Sequence, residues 1–79
     1  MPRFFFDTHS DLVSFRDVEG TELASPEMAG VELIKALPEM LRDELPAVAE
    51  RCSIMASVRD DAGQIIFTAQ LSLTTKWLK

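Results

Sequence analysis

Apolar and polar residues alternate along two stretches near the C-terminus, Ile54 to Arg59 and Gln64 to Thr75, with Asp60-Asp61-Ala62-Gly63 between them. A period of two on either side of an acidic turn ending in glycine predicts a β-hairpin. In the second run Ile65, Phe67, Ala69, Leu71 and Leu73 share one face, and Ile66, Thr68, Gln70 and Ser72 the other. The N-terminus predicts another hairpin. From Arg3 to His9, Phe4, Phe6 and Thr8 face one way and Phe5, Asp7 and His9 the other. Ser10-Asp11 signals a turn, and Leu12 to Asp17 reads as the returning strand, with Val13 and Phe15 on one face. Asp17-Val18-Glu19-Gly20 fits a type I turn, with an aspartate able to bond the backbone two residues on and a glycine that tolerates positive φ.

Between the hairpins the period changes. Met28, Val31, Ile34, Leu37, Leu41, Leu45 and Val48 recur at steps of three and four, which predicts one amphipathic helix. Ser25 is a favoured N-cap, Pro26 suits the first helical position, and Glu27 complements the helix dipole. Glu32, Lys35, Glu39, Arg42 and Asp43 form the wet side. Pro38 removes a hydrogen bond from the helix interior, yet the stripe keeps phase across it, so a kinked continuous helix from Pro26 to Leu45 is expected, ending near Pro46.

The order ββαββ predicts an α+β fold: one domain over residues 1–79, with a four-stranded, mainly antiparallel sheet and one kinked helix packed on one face. The strand order between the two hairpins is open. If the helix runs against the strands before and after it, the 17–22 and 60–63 loops gather at one end of the sheet with Arg3. His9, Ser10, Asp11, Arg51, Cys52 and the tail gather at the other. Three adjacent phenylalanines put aromatic bulk on both faces of the first strand, as in a strand covered on both sides. One helix covers one face. Phe5 on the other face is therefore a candidate interface residue.

Composition sharpens that expectation. A chain of 79 residues has a thin core and needs extra support. Cys52 is the only cysteine, so an internal disulfide is impossible, and one histidine with one thiol makes a metal unpromising; no cofactor is expected. Self-association into a homo-oligomer is the remaining support. Thirteen acidic against eight basic residues, net −5, disfavour nucleic acid and anionic membrane as partners. Three consecutive aromatics before Asp7 fall short of a signal-peptide core, and no apolar run reaches the length of a membrane span. With a lone cysteine, these features point to the cytoplasm.

Candidate chemistry is sparse. Asp17, Glu19, Glu22, Asp60 and Asp61 offer oxygen ligands from two loops, but the calcium-loop spacing is missing and acidic turns are ordinarily solvated caps. His9 and Cys52, with Asp11 to orient them, would make a base and nucleophile only if the fold brought them together; a small packed cysteine is the plainer reading. No catalytic residue and no enzyme activity are therefore expected. Trp77, the only tryptophan, lies between Lys76 and the C-terminal Leu78-Lys79, and is either a partner anchor or a cover for the end of the core.

Three segments together carry a resemblance: Pro2-Arg3-Phe4-Phe5-Phe6-Asp7, Asp17-Val18-Glu19-Gly20-Thr21-Glu22-Leu23 and Val58-Arg59-Asp60-Asp61-Ala62-Gly63. They resemble a family of small uncharacterised bacterial proteins known only as a domain of unknown function. The resemblance spans nearly the whole chain and implies a ββαββ protein of the bacterial cytoplasm; it brings no catalytic or binding residue. The residues are best read as a small acidic interaction or regulatory module acting through protein–protein contact. A nucleic-acid-binding module is the alternative, requiring Arg3, Arg16, Arg51, Arg59 and Lys76 on one surface. A small-ligand protein or enzyme using His9 with Cys52 or Asp11 is the second alternative.

Overall fold

The computed structural model describes residues 1–11, 14–44 and 51–79. Among the described residues five strands and one helix follow one another: β1 (Arg3–Ser10), β2 (Ser14–Phe15), β3 (Thr21–Glu22), α1 (Pro26–Glu44), β4 (Arg51–Arg59) and β5 (Ile65–Thr74). The fold is α+β, with every strand pairing antiparallel. The expected four strands become five because the chain returns along β1 twice, as β2 and again as β3. The order β2-β1-β4-β5 settles the open junction: β1 of the first hairpin lies beside β4 of the second.

The expected returning strand, Leu12 to Asp17, is described only as the two-residue β2; Leu12 and Val13 lie outside the described residues. Beyond β2 the chain leaves regular pairing and spans β1 through side chains. In the second hairpin Asp60 accepts the Gly63 N–H at its carbonyl and the Ala62 and Gln64 N–H groups at Oδ1, which closes the turn around a left-handed Gly63 (φ 82°).

The helix is continuous through Pro38, and Ser25 Oγ caps it by accepting the Met28 N–H. Its expected end at Leu45-Pro46 lies outside the described residues. The buried stripe differs from the expected one. Ala29, Leu33 and Leu37 face the sheet, flanked by Met40 and Leu41, whereas Met28, Val31 and Ile34 are exposed. Two apolar stripes share this helix, and the inner one is marked by small residues. Gly30 stands over the Phe67 ring, which an added Cβ would meet at 3.5 Å, an ordinary van der Waals contact. Leu45 and Val48 lie outside the described residues.

The core is the layer between helix and sheet: Phe4 from β1 and Ile54, Ala56 and Val58 from β4, beneath Leu33 and Leu37. Phe67, Ala69 and Leu71 of β5 border it. Ile65 departs from the expected alternation. Val58 pairs with Phe67 but Arg59 pairs with Ile65, so the register slips by one residue at Ile66. This β-bulge moves Ile65 to the helix-free face, beside Met55 and Thr68. Among the described residues no helix is long and apolar enough to cross a membrane.

The inner stripe has a direct test. Leu33 is 1% exposed and Ile34 57%. Leu33→Ala should lose about 2–5 kcal/mol of stability and Ile34→Ala under about 1 kcal/mol, read from urea unfolding at low protein concentration.

Candidate functional site

On the helix-free face three segments meet around Asp7: β1 itself, β4 and the loop that follows β2. Antiparallel pairing sets Phe5 opposite Arg59 and Asp7 opposite Ser57, so Arg59 reaches Asp7 along one face. The contact is bidentate: Arg59 Nε donates to Asp7 Oδ2 at 2.6 Å and Nη2 to Oδ1 at 3.1 Å. The same guanidinium donates from Nη2 to the Asp17 carbonyl at 2.8 Å and lies 5.0 Å from the Phe5 ring centre.

Asp17 completes the cluster. Its N–H donates to Asp7 Oδ1, its Oδ2 accepts the Phe6 N–H, and its Oδ1 accepts the N–H groups of Glu19 and Gly20. The aspartate thus bonds the backbone two residues on, as expected, and also serves a strand 11 residues away. Gly20 follows with φ 75°, pressed so close that an added Cβ would stand 2.7 Å from Arg3 Cγ and 2.8 Å from the Phe5 ring. Arg3 Nη1 then donates to the Glu19 carbonyl and Nη2 pairs with Glu22.

The charges match this geometry. Hydrogen bonds from Arg59 hold the Asp7 carboxyl below its ordinary range, against the opposing pull of burial. Burial pushes Asp17 up, but the N–H groups of Gly20, Phe6 and Glu19 outweigh it and its carboxyl is lowered too. The Asp7 contact raises Arg59. The carboxylate oxygens of Asp7 and Asp17 are thus engaged by the chain's own donors. The cluster is a clasp that holds the 16–22 loop across β1 and over Phe5.

The other singled-out residues fall elsewhere. His9 is on the helix-free face opposite Met55 and bonds Ser14 Oγ through Nδ1, while Cys52 is buried on the helix side of β4. The sheet lies between them, so the imagined base and nucleophile do not meet. Asp17, Glu22 and Asp60 are engaged by the backbone or Arg3, and among the described residues no group of three or more His, Cys, Asp or Glu is placed to hold a metal ion. Of the basic residues, Arg3 and Arg59 pair with carboxylates at one end of the sheet, whereas Arg51, opposite Thr74, and Lys76 lie at the other. Phe5 is half-buried beneath Arg59 and Gly20; Trp77 is 92% exposed beyond the end of β5. The Asp7–Arg59 contact was missed because it depends on β1 lying beside β4. The available signal was Asp7 sharing the Phe5 face with no partner on its own strand.

Two outcomes follow. Gly20→Ala should destabilise more than Gly63→Ala: both meet left-handed strain of about 1–2 kcal/mol, but only Gly20 is also crowded, with nothing within 4 Å of Gly63. Asp17→Ala should cost about 1.5–3 kcal/mol through lost charge-assisted hydrogen bonds. Since folding lowers both aspartates, their stabilisation is complete above their unfolded value of about 4 and is lost as pH falls through the lowered folded values. Asp17→Ala should therefore flatten the acid limb of stability, measured by urea midpoints from about pH 7 down to 2.

Neither curated proteins nor solved structures match the chain. Residues 3–72 match a family described as a domain of unknown function, DUF6894, and that span begins with β1 and reaches into β5. The chain belongs to the DUF6894 family.

Proposed function

We propose that the chain is a small acidic interaction or regulatory module of the bacterial cytoplasm, acting through protein–protein contact and first of all through contact with a second copy of itself. What supports the reading is an apolar strip left outside the core. Val31 and Ile34 on the outer flank of α1 are 50% and 57% exposed, and Ile66 at the β5 bulge is 39% exposed. They border one groove with Gly30 and Phe67. A contiguous apolar strip flanking a sheet edge is an association surface in search of its complement. A small chain gains from covering it, since its core is thin. The far face gives less support than the strip, because Phe5 is roofed by the chain's own loop and guanidinium. A lone cysteine suits a reducing compartment, and the family resemblance supports a bacterial source.

Sedimentation equilibrium is the test. The expected mass at high concentration is a multiple of 8.8 kDa, and Ile34→Asp should shift the chain toward monomer with an unchanged far-UV circular dichroism spectrum. A wild-type monomer at every concentration would remove the reading.

A further inference from the structure

The two edges of the sheet are treated differently. Along the outer edge of β1, β3 pairs at Arg3 and Phe4, β2 pairs at Thr8 and His9, and the Asp17 carboxylate takes the Phe6 N–H between them. That edge is occupied. β5 has β4 on one side and, among the described residues, no strand on the other. It is ten residues long, roughly 34 Å. Open edges are ordinarily blunted by charge, by proline or by brevity. Residues 65–74, Ile-Ile-Phe-Thr-Ala-Gln-Leu-Ser-Leu-Thr, carry no charge and no proline.

The charges at its two ends say what would pair there. Asp60 and Asp61 precede the strand, and Lys76 and Lys79 follow it. Acidic, neutral, basic is a self-complementary order. A second copy running antiparallel brings each basic tail to the other's acidic turn, while a parallel copy sets like against like. We infer that β5 pairs antiparallel with β5 of a second copy, about a two-fold axis through Gln70, and that Lys76 and Lys79 of each chain meet the Asp60–Asp61 turn of the other. The inference rests on the self-association reading and gives it a register.

Each layer agrees. Pairing about Gln70 sets Phe67 opposite Leu73 and Ala69 opposite Leu71 on the helix side, and Thr68 opposite Ser72 on the other. Lys76 then comes level with Gln64, whose carbonyl accepts the Asp60 N–H, so the basic tail reaches the partner's acidic turn. The two-fold axis stands perpendicular to the joined sheet, so both helices lie on the same face. With strands about 4.8 Å apart, helices seated over β4 and β5 stand roughly 10 Å from each other, an ordinary packing distance. Each Val31 and Ile34 flank, standing against Ile66 and Phe67, then overlooks the Leu73–Thr74 end of the partner's strand. Net −5 on each chain opposes association elsewhere; the neutral strand with matched ends lifts that opposition. Because the β1 edge is filled, addition stops at two chains.

The experiment compares dimer dissociation constants by sedimentation, with circular dichroism confirming the fold of each variant. Asp61→Lys alone, and Lys76→Glu with Lys79→Glu, should each weaken the wild-type dimer by roughly fivefold at low salt, and the three together should restore it. Gln70→Lys, which sets two lysines face to face, should weaken it more than tenfold. Gln70→Cys should form a disulfide-linked dimer on mild oxidation, since directly opposed strand positions suit the bond. A dimer indifferent to Gln70→Lys, and uncoupled at Gln70→Cys, would overturn β5 pairing while leaving self-association standing. A wild-type monomer at the highest concentration would overturn both, because no second copy would then occupy the edge.

Discussion

The bidentate contact between Asp7 and Arg59 anchors the loop that closes the outer edge of β1. It joins neighbouring strands β1 and β4 on the face that has no helix. The Arg59 guanidinium also reaches the Asp17 carbonyl, while the Asp7 carboxylate receives the Asp17 N–H. One aspartate is thereby fixed from both sides of its own backbone, and its carboxylate is aimed at β1. A buried donor on a strand edge must find an acceptor; here the Phe6 N–H finds Asp17. The two carboxylates repel, Asp7 raising Asp17, and donors outweigh that repulsion on each side: Arg59 at Asp7, and the N–H groups of Gly20, Phe6 and Glu19 at Asp17. The clasp seals one edge of the sheet with side chains where a longer strand would have used backbone.

Sealing has a second effect on the helix-free face. The loop that Asp17 anchors continues to Gly20, whose missing Cβ allows it to rest against Phe5 and the Arg3 stem. An aromatic ring that alternation directs away from the core is therefore covered within the chain, partly by a cation over its face. Three consecutive phenylalanines need not mean two partners. Phe4 and Phe6 pack beneath the helix, and Phe5 is accommodated by a turn and a salt bridge.

What was legible in the sequence followed from local chemistry. The β4–β5 turn, the Ser25 cap, the start of α1 and the faces of Phe4, Phe5 and Phe6 depend on residues near one another, and they were readable. The rest depended on information that periodicity does not carry. On α1, Met28, Val31 and Ile34 outweigh Ala29 and Gly30 in hydrophobicity, yet Ala29 and Gly30 lie on the face that carries Leu33 and Leu37 into the core, and packing chose that face. At Ile66 a single bulge reversed the face of Ile65, which no alternation rule anticipates. The Asp7–Asp17–Arg59 clasp joins residues up to 52 positions apart, and their meeting required the strand order to be known. Trp77, conspicuous as the only tryptophan, sits outside the packed layers.

The misjudged stripe and the unsealed edge turn out to be one fact. A helix with a single apolar face would present charge above β5, and that edge would then be protected by its own neighbourhood. This helix has two apolar faces. The outer one, Val31 and Ile34, overlooks β5 at the bulge, where Ile66 adds to it. Protection by charge is therefore absent from the strand itself, residues 65–74, although the chain carries thirteen acidic residues. A sequence under pressure only for solubility would place one lysine or glutamate within residues 65–74, at negligible cost to a solvent-facing position such as Thr68 or Gln70. With the opposite edge closed by a set of hydrogen bonds, a β5 edge that has no strand beside it among the described residues favours a contact between two chains that ends with the pair.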